Sequence, residues 1–336
     1  MASSKDKAHD TLDAVIAERL PLLDKLLAKT DVELKDRPFR ATFEFIEIWV
    51  LEVNDGQGRQ FKPTISAEIV TERWFAALYQ LIERWYHNRY GESFRATSSR
   101  TLTGFVPVWS TAFELAVPRE VLQSDVPGET VWLRFPGRVL EAEDPLAWLR
   151  SPPSLDQLSQ AESENLRSAV NEVAARLRAI NVAIMGIPNR DRTLSGFLVS
   201  IRSHLELAAK KAVAGGHPQL ETGCWDLQMA TECAFKSLLH RKAGKFPRTH
   251  DLDELYRLAA SHLQAFPSEA LKKLPKWREA IEHRYGGGTR VDLDEYWTFY
   301  MATLRIIESV LAPLVVLHIG EGQVKIARPP WKKAIT

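Results

Sequence analysis

The sequence is poor in cysteine, which excludes one large class of folds. Its 336 residues include two cysteines, Cys224 and Cys233. Both fall within one predicted helix, where nine residues of helical rise separate them by about 13 Å, too far for a disulfide. A disulfide-stabilised fold is therefore excluded, and the composition is typical of a protein from a reducing compartment.

Charge of one sign and long apolar runs are also lacking. The formal net charge is +1 at pH 7, so any basic binding site must be local. The longest apolar run, VLAPLVVLHIG, is too short to span a bilayer and contains Pro313. The N-terminal segment MASSKDKAHD is polar and has no apolar signal core. We therefore expect a cytoplasmic protein without a membrane partner.

Several well-known chemical motifs are missing as well. No spacing indicates a zinc site, and there is no Gly-x-Gly-x-x-Gly, Gly-Lys-Ser/Thr or Gly-x-Ser-x-Gly motif. The glycine run at residues 286–288 follows a predicted helix instead of opening one, so it does not form a phosphate cradle. We expect neither a metal nor a cofactor.

The first 150 residues predict a small α+β domain whose role the sequence does not indicate. Apolar residues have helical spacing over 11–29 and 66–90. The runs at 103–118 and 129–139 are rich in β-forming residues and predict strands. Residues 41–60 have the same composition and end in a turn signal, so we predict a strand there also. Because Glu44 and Glu47 lie three apart, a buried helix is the alternative for this segment.

The sequence after residue 150 predicts mostly helices. Residues 151–190 form a linker and a connecting helix, which opens with a capping box between Ser159 and Glu162 and reaches Met185. Residues 191–320 predict an antiparallel bundle of four or five helices. Four of these helices run over about 193–213, 218–244, 268–285 and 292–312. A further helix, capped by Thr249, lies between the second and third of them. Residues 321–336 predict a basic, loosely held tail. The expected fold class is thus α+β followed by an all-α bundle, mostly helical overall.

Three stretches within about residues 193–315 resemble the HEPN family of helical bundles. The first is ATECAFKSLLHRKAGKFPRTHDLDEL, which contains Glu232 and Lys236 and ends its loop with Thr-His-Asp-Leu at 249–252. The second runs from Arg278 to His283 and is followed by Tyr285. The third is DEYWTFYMATL in the last long helix. The N-terminal region resembles no family.

The resemblance implies one of two functions. In one group of the family, an arginine and a histidine four to six residues apart form a metal-independent ribonuclease site, usually completed across a homodimer. Members often serve in toxin–antitoxin pairs, phage defence or RNA processing, so RNA, a second copy and an antitoxin-type protein are the implied partners. In the other group, the same bundle binds a nucleotide or a protein partner without chemistry.

For a ribonuclease, the resemblance assigns roles to four residues. His283 would move a proton at the reacting oxygens, since histidine exchanges protons near neutral pH. Arg278 would hold the phosphate, and Tyr285 would position it or stack on a base. Glu279 would orient His283 or repel the phosphate, and it departs from the asparagine that often follows the arginine in this family. Weaker candidates for ligand contact are Glu232, Lys236, His250 and Asp251, which also suit an ion pair and a helix start.

The Arg–His spacing does not identify a site by itself. About two such matches are expected by chance, and the sequence has two, Arg278–His283 and Arg257–His262. Only the first lies after Thr-His-Asp-Leu and before the last helix. Residues five apart on a helix point about 140° apart, so this pair converges only at a helix end or across two subunits.

A purely structural interpretation of the same stretch is also open. Arg278 with Glu282, and Glu279 with His283, have the spacing of ordinary helical ion pairs. Gly286 would then simply lie past the end of the helix.

Overall fold

The computed structural model describes residues 4–30, 32–54, 60–66, 68–91, 93–94, 101–126, 130–188, 191–285 and 290–327. The chain divides into two compact units. The first comprises Met1–Ser99, Val126–Thr130 and Ala327–Thr336, and the second comprises Arg100–Asp125 and Val131–Ile326. Within the described ranges, no helix is both long and apolar enough to cross a membrane.

The described part of the first unit includes three long helices and one short strand pair. The helices are α1 (Ser4–Lys29), α2 (Arg37–Trp49) and α3 (Arg73–Tyr90), and the antiparallel strands are β1 (Val53–Asn54) and β2 (Gln60–Phe61). The helices share a core that includes Leu20, Phe45, Ile82 and Tyr86. Helix α3 ends at Gly91, whose φ of 53° favours glycine, as the sequence predicts.

The predicted strand at residues 41–50 is wrong, because this segment lies in α2. Its apolar residues Ala41, Phe45 and Ile46 have helical spacing and are buried on one face, while Glu47 is exposed. Burial of that face outweighs the β-forming composition, which is a weak local preference. The alternative suggested by the Glu44–Glu47 spacing is the one that the structure adopts. Part of the predicted turn, residues 55–56, lies outside the described residues.

Both predicted β-rich ranges contain strands: 103–118 is confirmed as a strand pair, whereas in the range 129–139 the strand covers 130–134 and residue 129 lies outside the described residues. Strands β3 (Thr101–Val108) and β4 (Thr111–Pro118) form a hairpin in which Phe105 pairs with Glu114. Strands β5 (Val121–Val126), β6 (Thr130–Arg134) and β7 (Gln323–Ala327) form a sheet in the order β5-β6-β7. The tail predicted as loose therefore contains a strand at 323–327, because pairing with the sheet satisfies its backbone. Residues 328–336 lie outside the described part.

The hairpin packs into the second unit, whereas the sequence places residues 1–150 in one domain. Gly104 on β3 allows this close packing. A Cβ at Gly104 would lie 2.8 Å from Leu177 Cδ1 and 2.9 Å from Val173 Cγ1, both on the helix Gln160–Gly186. Contacts of this kind join residues far apart in the sequence and leave no local signal in it.

Along the described chain, seven helices of the second unit lie between strand β6 and strand β7. They are α4 (Gln160–Gly186), α5 (Arg192–Ala214), α6 (His217–Ala243), α7 (Leu252–Ala259), α8 (Ser268–Leu271), α9 (Trp277–Arg284) and α10 (Leu293–Leu311). The Ser159–Glu162 capping box is present, and Asp292 accepts a hydrogen bond from the Glu295 N–H (2.8 Å). The α+β region followed by a helical bundle is the fold class that the sequence predicts.

Two details of the bundle correct the predictions. The single helix predicted over 268–285 is divided into α8 and α9, since Pro275 lacks the N–H that a continuous helix needs. Asp251, not Thr249, caps α7, because its carboxylate accepts from the Asp253 and Glu254 N–H groups. Thr249 supports the cap by accepting from the Asp251 N–H (3.2 Å).

Helix α6 contacts α5, α7, α9 and α10 and so organises the bundle. Gly223 on α6 lies against Tyr296 of α10, where a Cβ would be 2.8 Å from the ring carbon Cζ. The Tyr296 hydroxyl donates to the Ala208 carbonyl on α5 (2.9 Å). Most of α6 is buried, including several polar side chains. Those polar side chains lead to the candidate site.

Candidate functional site

A polar network on α6 is built from Gln228, Glu232 and Lys236, which lie four residues apart on one helix face. Lys236 Nζ donates to Glu232 Oε1 (2.7 Å), and His250 Nδ1 lies 2.9 Å from Glu232 Oε2. Gln228 Nε2 donates to the His250 carbonyl (2.7 Å). The network therefore holds both the backbone and the ring of His250.

The network places an exposed imidazole on a buried carboxylate. The Glu232 side chain is 4% exposed and the His250 side chain is 52% exposed. Because an ionised carboxylate only accepts hydrogen bonds, Nδ1 of His250 carries the hydrogen of this contact. The orientation and tautomer of the ring are thus fixed, as in sites where histidine contacts a ligand or exchanges a proton.

Arg278 and His283 lie in different environments on α9. Arg278 is exposed on α9, where its guanidinium lies 5.4 Å from the Trp277 ring centroid. His283 is only 5% exposed, and its Nδ1 is buried with no hydrogen-bond partner. Residues five apart on a helix point about 140° apart. This is why one of the two side chains is exposed and the other is buried.

Glu279 has a local structural role. Its Oε2 accepts a hydrogen bond from the Lys276 N–H (2.8 Å), so it caps the first turn of α9. Neither ion pair considered from the sequence, Arg278–Glu282 or Glu279–His283, is formed among the described residues. The glycine run after Tyr285 lies outside those residues. Helix capping is a physical reason for a glutamate at this position.

Trp225 connects the two groups of candidate residues. It is half-buried on α6, and its ring centroid lies 6.4 Å from that of His250. The Arg284 guanidinium lies 4.9 Å from the Trp225 ring and 5.7 Å from the Tyr285 ring. Tyr285 is 77% exposed. We call Trp225, His250, Arg284 and Tyr285 the Trp225 surface.

Sequence reasoning missed Trp225 and Arg284. The chain has ten tryptophans, and large aromatic residues are usually packed in the core. A signal for Trp225 does exist. It lies three residues before Gln228 in a helical stripe that continues through Glu232 and Lys236. Arg284 had no such signal, because its contact with Trp225 depends on how α9 packs on α6.

Other chemistry in the bundle is limited. Burial raises the pKa of Cys224 to about 12 and that of Cys233 to about 11. Neither thiol is therefore an activated nucleophile at neutral pH. In the described part of the chain, no group of three or more His, Cys, Asp or Glu residues could hold a metal ion. Asp251 serves as the α7 cap, so its carboxylate is largely occupied by backbone N–H groups.

Comparison with known families agrees with the helical geometry. Residues 205–311 match the HEPN domain family, so the C-terminal part of the chain contains a HEPN domain. The match extends from the second half of α5 to the last residue of α10. This confirms the resemblance stated above, and the N-terminal region matches no family. HEPN domains are known from ribonucleases and from nucleotide-binding modules. No curated protein and no solved structure matches the chain significantly.

Proposed function

We propose that the HEPN domain binds a nucleotide or single-stranded RNA at the Trp225 surface. The observation that carries this proposal is Arg284 stacked on Trp225 beside the exposed rings of Tyr285 and His250. Aromatic rings next to an arginine are the recurring means by which proteins hold unpaired bases and their phosphates. Binding at this surface requires no chemical step.

Each member of the Trp225 surface suits one part of such a ligand. Tyr285 and Trp225 offer ring faces for a base. Arg284 makes no ion pair with the described residues, so its planar fork is available for a phosphate. His250 is held by Glu232 through Nδ1, and its side chain is 52% exposed. The shared ligand chemistry is therefore a stackable base joined to phosphate.

Substitution at the Trp225 surface tests this proposal. We expect Trp225→Ala and Arg284→Gln each to weaken binding of a fluorescently labelled ten-nucleotide RNA by about 5- to 100-fold, as loss of one stacked base or phosphate contact predicts. Fluorescence anisotropy at fixed salt measures the effect. Matched controls are Trp109→Ala, an exposed tryptophan in the β3–β4 turn, and Arg167→Gln, an exposed arginine on α4.

The outcomes of this titration separate the ligands. Competition by ATP at concentrations near its own dissociation constant indicates a mononucleotide site, whereas ATP without effect on bound RNA indicates a single-strand site. Equal affinities for wild type, Trp225→Ala and Arg284→Gln would rule out the surface. Weakening by the two control variants to the same extent would do so as well.

A second candidate function is metal-independent RNA cleavage across a homodimer, with Arg278 and His283 in the roles given above. The observation that favours it is the buried Nδ1 of His283 without a hydrogen-bond partner, since such orphaned atoms often belong to reactive groups. HEPN domains commonly dimerise, and a second copy would bring the exposed Arg278 and Tyr285 of both chains together. In this proposal the natural setting is a toxin–antitoxin or antiviral defence system, with an antitoxin as protein partner.

RNA cleavage in EDTA tests the second candidate. We expect wild type to leave 2′,3′-cyclic phosphate ends and His283→Gln to lower the rate about 10²- to 10⁴-fold, the usual contribution of a general acid or base. His262→Gln, from the other Arg–His match, is the control. Because His283 is buried, thermal unfolding of His283→Gln must show that the variant is folded. Inert wild-type protein, or a folded His283→Gln protein that cleaves equally well, would eliminate this candidate.

A further inference from the structure

We infer that the second unit contains a preformed groove for a nucleoside phosphate, separate from the Trp225 surface. The groove lies between α4, α10 and the β5-β6-β7 sheet and has a volume of about 960 Å³. Its polar lining includes Arg134, Arg138, His318, Glu308 and Gln323. Clefts of this size commonly hold nucleotide- or cofactor-sized molecules.

The charges of the groove favour an anion. Arg134 and Arg138 make no ion pair with the described residues, and Nε of Arg134 is buried without a hydrogen-bond partner. Among the described lining residues, Glu308 carries a carboxylate, and this carboxylate already forms a salt bridge with Arg176 (Nη1 to Oε2, 2.6 Å). A buried guanidinium N–H without an acceptor is costly, and a phosphate oxygen is the acceptor that its geometry fits best.

One rim of the groove is held rigidly on α4. Arg178 is fully buried, and its Nη1 donates to the Arg138 carbonyl (3.0 Å). The same guanidinium donates twice to Glu143 (2.6 and 2.7 Å). Glu143 in turn accepts from the Leu140 N–H (2.8 Å). The loop that carries Arg138 is therefore fixed before any ligand arrives.

The opposite rim is fixed to the same helix. The Gly186 carbonyl at the end of α4 accepts hydrogen bonds from the Val316 and Leu317 N–H groups (both 3.0 Å). The Leu317 carbonyl lies where a Cβ of residue 186 would be, so only glycine permits this approach. Gly320 packs on Val182 in the same loop. Because both rims are anchored, binding costs little ordering of the protein.

The apolar part of the lining indicates what the phosphate is attached to. Leu140, Val182, Ala183 and Val315 form an apolar wall beside the arginines. A flat, weakly polar group such as a nucleobase suits this wall, and the phosphate reaches the guanidinium groups. An isolated phosphate ion would leave the wall uncovered, so we expect it to bind more weakly than a nucleoside phosphate.

Isothermal titration with ATP, GTP, AMP and inorganic phosphate tests the groove in the full-length protein. We expect at least one nucleotide to bind saturably. We expect its affinity to fall about 10- to 100-fold in the Arg134→Gln, Arg138→Gln double variant, as loss of charge-assisted hydrogen bonds predicts. Trp109→Ala and Arg167→Gln are the controls and should leave this binding within about twofold, because neither residue lines the groove.

Each other result of this titration counts against the groove. The proposed groove is ruled out if no nucleotide binds, if the double variant binds as well as wild type, or if Trp225→Ala alone abolishes binding. Equal affinity for inorganic phosphate and for nucleotides would refute the nucleoside part. Should the double variant not fold, Arg138→Glu replaces it, since Arg138 is exposed and reversal of its charge should weaken binding at least as strongly. Loss of RNA binding at the Trp225 surface with retained groove binding separates the two proposals.

Discussion

Replacement of Arg178 by methionine is expected to destabilise the second unit by about 3–5 kcal/mol, the usual cost of removing one partner of a buried ion pair. The Arg178 side chain is fully buried, and its partner Glu143 is 14% exposed. The same guanidinium donates to the Pro118 carbonyl (2.9 Å) and lies 4.8 Å from the Trp148 ring. Methionine fills much of the space but leaves a carboxylate and two carbonyl groups without their donor.

Urea unfolding of wild type and Arg178→Met measures this effect. Arg176→Met is the matched control. Arg176 pairs with the carboxylates of Glu172 and Glu308, whose side chains are 35% and 40% exposed. We expect the control to lose less than about 1 kcal/mol, as partly exposed ion pairs contribute little. Similar losses for both variants would contradict the assignment of Arg178 as the main polar anchor of the unit.

The Arg178 effect should depend on pH in a defined direction. Burial alone raises the pKa of Glu143. The hydrogen bonds from Arg178 and the Leu140 N–H outweigh burial and bring the pKa below the ordinary value of 4.5. A depressed carboxylate pKa stabilises the fold above pH 4.5, and this contribution is lost as the pH falls through the lowered value. The difference between wild type and Arg178→Met should therefore be constant near neutral pH and shrink in acid.

The second large effect is expected at Glu232. Glu232→Ala should destabilise the bundle by about 3–5 kcal/mol, because it leaves the buried ammonium of Lys236 without its carboxylate. The Lys236 side chain is 10% exposed. The same substitution removes the carboxylate that orients His250. Adding Lys236→Met to Glu232→Ala should restore part of the loss, since the unpaired charge is then removed.

Helix α5 offers a matched control with the same spacing. Glu206 and Lys210 also form an i,i+4 ion pair, but their side chains are 46% and 56% exposed. We expect Glu206→Ala to cost less than about 0.5 kcal/mol. Chemical unfolding compares the two variants. If Glu232→Ala costs no more than Glu206→Ala, the network on α6 does not hold His250 as described.

Helix ends in this chain are predictable from sequence because their causes are local. Ser159 with Glu162, Asp292 and the glycines at 91 and 244 each act within one helical turn, and they lie at the ends of the helices predicted over 66–90, 218–244 and 292–312 and of the helix predicted to open with the capping box. The strand predicted at 41–50 fails for the opposite reason. Its helical conformation follows from burial of Ala41, Phe45 and Ile46 against other helices, which composition does not reveal.

The candidate site was partly predictable for the same physical reason. Glu232 and Lys236 lie one helical turn apart, so their ion pair follows from spacing alone. Helical geometry likewise predicts that Arg278 and His283 diverge, although it does not say which of them is buried. The contact of Arg284 with Trp225 and the anchoring of Arg138 by Arg178 join residues about 60 and 40 positions apart. Such contacts depend on tertiary packing that no local pattern encodes.

Photo-crosslinking shows where RNA lies on the protein and so tests binding at the Trp225 surface. A ten-nucleotide RNA containing 4-thiouridine is irradiated with the full-length protein, and the modified peptides are mapped by mass spectrometry. We expect crosslinks at Trp225 and Tyr285 that disappear when unlabelled RNA is added in excess. Saturable crosslinks confined to other regions, with Trp225 and Tyr285 unmodified, would contradict it.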